Sequence, residues 1–363
     1  MHTPLRFVAL AALFASFLIC AVLPGTAADG SADDIARILA GIEPRVDSPL
    51  AGLTRDSDWR LHASSLDAAW KSLEARQLSK IRVWSAKNIT RPQKTMLYMF
   101  SGPDFLYADV FFPEATTYVL SGLEPVGGMP DVSQSRRSLS GTLANIRSSL
   151  GPVMSYGFFI TKHIKRQLRR GEFTGTLPLL YVFLARLGKT ISHVTLISLD
   201  KDGVELPTGE THVRETPSGV KVAFAGRDGK PRTLYYFSTD LSDRDVADSG
   251  FLNFCERLGA ADSFLKSASY LLHSGNFSKV RAFLLAQSAK SSRTTRAFRC
   301  DTSHPRNGSC APSVTTSPRS MSFPDDTSAS SARFSAGLRP STSEWATDGA
   351  CTSPIYCSPK KKP

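Results

Sequence analysis

Residues 95–125 read TMLYMFSGPDFLYADVFFPEATTYVLSGLEP, and their order sets the fold class. TMLYMF, residues 95–100, is a continuous apolar and aromatic run of the kind a strand shows when both its faces are buried. SGPD breaks it, and FLYADVFF has the length and composition of a short helix that Pro113 ends. TTYVLSGLE then begins a second strand. Strand, turn, helix and strand within 31 residues make a βαβ unit, and such a crossover implies neighbouring parallel strands.

The same alternation continues on both sides. Residues 31–42 and 64–81 have helical spacing and start with a serine and early aspartates, which suit a helix N-terminus. They form a helical lead-in over residues 29–84. Residues 134–150 and 152–170 read as helices, and LPLLYVFLARLG as a helix stopped by Gly188. ISHVTLISLD reads as a strand. VKVAFAGRDGKPRTLYYFSTD reads as a hairpin turning at Asp228-Gly229. FLNFCERL, SFLKSASYLLH and FSKVRAFLLAQSA follow as helices. The expected architecture is one α/β domain over residues 85–290, with a largely parallel sheet and flanking helices.

The chain has 363 residues and a formal net charge of +12, with 41% hydrophobic and 21% charged residues. That is an ordinary globular composition. MHTPLR is followed by an apolar run over residues 7–23, then by Pro24-Gly25 and small residues. This is the layout of a secretory signal over residues 1–28. The expected location is periplasmic or secreted, with no transmembrane segment after cleavage.

Residues 291–363 are dominated by Ser, Thr and Pro, and carry six large aliphatic or Phe side chains in 73 positions. So little apolar area does not offset the ordering entropy, and the segment is expected to be disordered. Two accounts of it stand: a Ser/Thr/Pro extension, or translation in a shifted reading frame after a helix that stops without a cap. Four of the five cysteines outside the signal lie there, and Cys255 reads as a buried apolar thiol. Because the tail holds much of the excess positive charge, the body is only mildly basic. No nucleic-acid partner is expected.

One constellation bears on chemistry. Ser101 and Gly102 follow the first strand, Asp104 begins the helix, and Glu124 closes the second strand. A small-residue turn before a helix presents free N–H groups to an anion, and an acid at the next strand end accepts from ribose hydroxyls. On these residues the segment resembles the first βαβ of Rossmann-like methyltransferases. It differs from them in having only Gly102 where they have two or three glycines, and in Pro103, which removes a donor. The resemblance would make Ser101, Gly102, Asp104 and Glu124 cofactor-binding residues. FSGPDFLYADVFFP and TYVLSGLEP also resemble a segment of uncharacterised secreted proteins of Gram-negative bacteria, which implies export and no particular reaction.

Other chemistry is sparse. The histidines show no metal-pair spacing, so no metal is expected; no bound cofactor is expected either, since nucleotide and sulfonium cofactors are scarce outside the cytoplasm. G-x-S-x-G is absent, which leaves a hydrolase only a triad assembled in space around Ser101, with His193 or His273 and Asp200 or Asp240. His193, between apolar neighbours, reads as a core histidine. Lys162, Lys165, Arg166, Arg169 and Arg170 lie on a helix-like stretch with an apolar stripe. They read first as a surface helix whose last turn carries cations, and they also suit an anionic envelope surface. Two function classes follow: an envelope-associated binding or structural protein without catalysis, and an α/β enzyme.

Overall fold

A computed structural model describes residues 31–130, 132, 136–157, 175–207, 218–294 and 314–318. The stretch read as a secretory signal, the basic run at 162–170, and residues 295–313 and 319–363 of the tail lie outside the described residues.

The βαβ unit forms as its sequence requires. β1 (Thr95–Tyr98), α1 (Phe105–Phe111) and β2 (Thr117–Gly122) follow one another, and β1 pairs with β2 in parallel, Thr95 opposite Thr117. Further strands are β3 (Thr190–Leu199), β4 (Glu205–Pro207), β5 (Gly219–Ala225), β6 (Pro231–Ser238), β7 (Ala261–Leu265), β8 (Ser288–Thr294) and β9 (Val314–Pro318). They form one sheet in the order β4-β3-β5-β6-β2-β1-β7-β8-β9.

The sheet is mixed, which corrects the expectation of a largely parallel one. Four described pairings are parallel (β1–β2, β1–β7, β2–β6, β7–β8) and four antiparallel (β3–β4, β3–β5, β5–β6, β8–β9). The cause is local: the Asp228-Gly229 turn, with Gly229 at φ +71°, folds β5 back on β6.

Alternation divides the strands between two faces. Met96, Tyr98, Tyr118, Leu120, Leu234, Tyr236 and Phe264 belong to one core. Leu97, Met99, Val119, Tyr235, Phe237, Ala261 and Leu265 belong to the other. The first core is covered by α1 and by five helical stretches: Ser31–Leu39, Ser57–Leu73, Ser79–Asn88, Arg136–Tyr156 and Leu177–Arg186. The lead-in helices therefore share the sheet's core. The second face is covered by Asp243–Val246, Phe251–Arg257 and Ser278–Gln287. Cys255 is buried there, and burial pushes its thiol pKa up.

Three local readings are corrected. SFLKSASYLLH is not a helix: Ser263, Phe264 and Leu265 belong to β7, beside β1 at the centre of the sheet, and Ser267–His273 is a 3-10 segment. Phe264 explains the placement, since its ring lies 4.7 Å from those of both Tyr98 and Phe111. Burying such a ring contributes about 1.5–3 kcal/mol, more than helix propensity offers a five-residue stretch. The last helix stops at Gln287, and β8 and β9 carry regular structure past the expected boundary at 290. His193 is exposed, at the register shift that follows Ile191 in β3.

Candidate functional site

After β1 the chain passes through α1 on the first face to reach β2. After β7 it passes through the helix Ser278–Gln287 on the second face to reach β8, on the other side of β1. The carboxyl ends of β1 and β7 are thus where connections part in opposite directions. In open α/β sheets that point is where ligands bind.

Asp104 and Lys266 meet there. Asp104 is the N-cap of α1, its Oδ1 accepting from the Tyr107 N–H at 3.4 Å, and Lys266 directly follows β7. Lys266 Nζ donates to Asp104 Oδ2 at 2.7 Å, and the Tyr98 hydroxyl donates to the same oxygen at 2.9 Å. The ammonium also stands 3.5 Å from the centroid of the Tyr107 ring, whose hydroxyl donates to Gln77 Oε1 at 2.7 Å. Asp104 is 2% exposed and Lys266 5%. Burial pushes the Asp104 pKa up and the Lys266 pKa down, each opposed by the other's charge. Tyr98 is pushed well above its ordinary value by burial and by the Asp104 charge.

The connecting loop is strained. Phe100 has φ +58°, rare for a residue with a side chain, and Gly102 has φ +57°. The Phe100 ring rests edge-on against Phe277 at 5.5 Å. The Ser101 hydroxyl donates toward the carbonyls of Gly102 (2.8 Å) and Ser121 (3.1 Å) and accepts from the Ser121 N–H (3.1 Å). It ties the loop to β2.

Glu124, 3% exposed, lies beside this loop. A Cβ on Gly122 would fall 2.5 Å from Glu124 Oε2, and one on Gly102 3.3 Å from it, so both glycines make room for the carboxylate. The Tyr236 hydroxyl donates to the Glu124 main-chain carbonyl at 2.7 Å.

Ser101, Gly102, Asp104 and Glu124 therefore gather at one sheet edge, as their spacing implied, though in altered roles. Asp104 occupies the start of α1 with its own carboxylate, and Glu124 adds a second negative group beside Gly102. With Asp104 paired to Lys266, it is the Glu124 carboxylate that opposes a phosphate there and favours hydrogen-bond donors or cations. The Ser101 hydroxyl is engaged by main chain, while His193 lies on β3 and His273 closes the 3-10 segment after β7. Lys266, Tyr98 and Gln77 were not legible from sequence, because a lysine after an apolar pair and a tyrosine in a strand carry no signature. Among the described residues, no group of three His, Cys, Asp or Glu is placed to hold a metal, and no helix is long and apolar enough to cross a membrane.

No protein family, curated protein or solved structure matches this chain.

Proposed function

We propose that this is an exported, envelope-associated binding protein without catalysis, which takes a ligand rich in hydroxyl or amino groups at the carboxyl edge of β1 and β2. The observation that carries this reading is the Glu124 carboxylate, buried against Gly102 and Gly122 and reached by the Tyr236 hydroxyl, beside a loop whose Ser101 and Asp104 groups are held by other partners. A carboxylate accepts from ligand hydroxyls or ammonium groups, which is all that binding asks of it. Export rests on the residue 1–28 layout and on the resemblance to secreted Gram-negative proteins. Contact with an anionic envelope surface would fall to Lys162, Lys165, Arg166, Arg169 and Arg170.

An α/β enzyme is the second reading, favoured by one observation: the buried Lys266–Asp104 pair stands at the switch point where such folds place their chemistry. It takes two forms, a hydrolase around Ser101 or a degenerate Rossmann-like cofactor binder.

Thermal melting against polyols and amino sugars, with S-adenosylmethionine and NAD as comparators, separates these readings. A polyol or amino sugar should raise Tm in the parent chain and fail to do so in Glu124→Gln. A Tm rise with S-adenosylmethionine or NAD alone, or ester hydrolysis abolished by Ser101→Ala, would move the assignment to the enzyme.

A further inference from the structure

The positive charge of the body is not spread evenly over it. Residues 29–290 hold 33 basic and 27 acidic residues, an excess of six. The 24 residues from Lys71 to Lys94 hold an excess of six by themselves, seven basic residues against Glu74 alone. They occupy the second half of a continuous helical run, made of Ser57–Leu73, the π-helical turn Glu74–Leu78 and Ser79–Asn88, and the loop that leads from it to β1.

The helix Ser79–Asn88 turns one face inward, with Ile81 and Ser85 buried beside Leu78. Opposite that face, at helical spacing, stand Lys80, Val83 and Lys87, all exposed. Val83 is 73% exposed, so an apolar side chain stands in water between two cations. Glu74 is already held by Arg82, and Arg76 donates to the carbonyls of Ser72 and Met154. Lys71, Lys80, Lys87 and Lys94 are exposed, and among the described residues no acid pairs with them. The helix dipole favours cations in the last turn, which accounts for Lys87 and for none of the other three.

A face of unneutralised cations draws a polyanion. The valine between them selects the kind. A soluble acidic polymer has no use for an exposed apolar side chain, whereas at a bilayer surface the lysines meet phosphate headgroups and the valine enters the acyl boundary. We propose that the outward face of the helix Ser79–Asn88, with Val83 between Lys80 and Lys87, is a docking surface for an anionic phospholipid bilayer. The proposal rests on the envelope-associated reading and gives it a surface separate from residues 162–170.

Vesicle flotation of the full chain tests it. Phosphatidylcholine vesicles with about 30% phosphatidylglycerol should bind at least about tenfold more tightly than phosphatidylcholine alone, and roughly 0.5 M NaCl should abolish the difference. Each basic residue at such a surface strengthens binding about fivefold, so Lys80→Glu with Lys87→Glu should lower it about 25-fold or more. Val83→Ser should lower it about threefold and leave heparin binding unchanged. All three side chains are exposed, so Tm should hold in both variants. A parent without preference for anionic vesicles would overturn both this proposal and the contact assigned to residues 162–170. A preference kept in Lys80→Glu with Lys87→Glu but lost in Lys162→Glu with Arg166→Glu would overturn this proposal alone. Vesicle binding unchanged in Val83→Ser, with heparin binding lost in the lysine variant, would give the face to a soluble acidic polymer and overturn the bilayer.

Discussion

Helix α1 holds a buried aspartate near each end, and the two invite comparison. Asp104 caps its start and pairs with Lys266, with the Tyr98 hydroxyl on the same carboxylate. Asp109, one turn on, pairs with Lys189 at 2.7 Å and accepts from the Tyr118 hydroxyl at 3.2 Å. Burial pushes both carboxyl pKa values up, against the charge of the partner lysine. The chemistry is the same, yet only the first pair lies where β1 and β7 end. A buried Asp–Lys–Tyr unit is therefore how this fold anchors α1 at two points, and its chemistry alone does not distinguish the two ends. What distinguishes the carboxyl edge is the loop: Phe100 at positive φ, Gly102 and Gly122 packed on Glu124, and Lys266 delivered by the neighbouring strand β7.

The largest effects should come from breaking these pairs. Removing one partner of a buried ion pair leaves an uncompensated charge and costs about 3–5 kcal/mol. Lys266→Met should lie at the upper end, because it also removes the ammonium from the Tyr107 ring, and Lys189→Met at the lower end. The double variant Asp104→Leu with Lys266→Met should recover most of the loss. Urea unfolding provides the comparison, and a Lys266→Met loss below that of Lys189→Met would reverse the ranking of the two ends.

Acid titration separates both pairs from His62. Burial, reinforced by the charges of Arg147 and Arg186, lowers the His62 pKa from 6.5 to about 4. Between those values the unfolded chain binds a proton that the folded chain does not, so stability falls as pH drops from 6.5 toward 4, by about 3 kcal/mol in all. Asp104 and Asp109 act in the opposite sense, since a raised carboxyl pKa lets the folded state take up protons first. A stability curve that declines from pH 6.5 to 4 in the parent and flattens in His62→Gln would assign acid lability to the helical layer. A decline of equal size in both chains would place it elsewhere.

The glycines test the loop itself. Gly122→Ala would set a methyl 2.5 Å from Glu124 Oε2 and 2.7 Å from the Gly102 Cα, an overpacking expected to cost about 1–3 kcal/mol. Gly102→Ala meets the carboxylate at 3.3 Å and adds the strain of φ +57°, about 1–2 kcal/mol. Both should also displace Glu124 and abolish the Tm response to polyols or amino sugars, measured as above. A retained response would remove Glu124 from the binding role.

The 95–125 segment was legible because each of its signals agrees with the next: an apolar run buried on both faces, a Gly-Pro break, an aspartate cap and a second apolar run. The mixed sheet was less so, although the hairpin that makes β5 antiparallel to β6 was already marked by Asp228-Gly229. β7 was hidden because ADSFL puts Asp262 and Ser263 at fully buried positions, where sequence pattern expects apolar residues. Its identity is settled only by long-range contacts of Phe264 with Tyr98 and Phe111. At the site, Ser101, Gly102, Asp104 and Glu124 were placed by spacing. The role of Asp104 depends on Lys266, 162 residues further along, and no local pattern conveys that pairing.

The smallest effect concerns the far side of β7. β8 reads SAKSSRT, with Ser288, Ser291 and Ser292 buried and none of the Val, Ile or Leu that a parallel strand inside a sheet ordinarily carries. Its side-chain tie to β7 is the chain of hydroxyls in which Ser263 donates to Ser291 at 2.9 Å and Ser288 donates to Ser263 at 2.8 Å. Deleting residues 291–363 removes the first of these bonds and part of the ladder while exposing little apolar surface, so the expected loss is about 1–2 kcal/mol in urea unfolding. A loss several times larger would show that the tail packs firmly on the body. The polar strand also bears on the two accounts of the tail. Under the shifted-frame account, one of the other two reading frames of the DNA for residues 288–294 encodes an apolar run at these positions. A chain carrying it should gain about 1.5–3 kcal/mol for each large side chain buried beside β7. Reading frames without such a run would leave β8 as the start of a Ser/Thr/Pro extension, held to the sheet by backbone and serine hydroxyls alone.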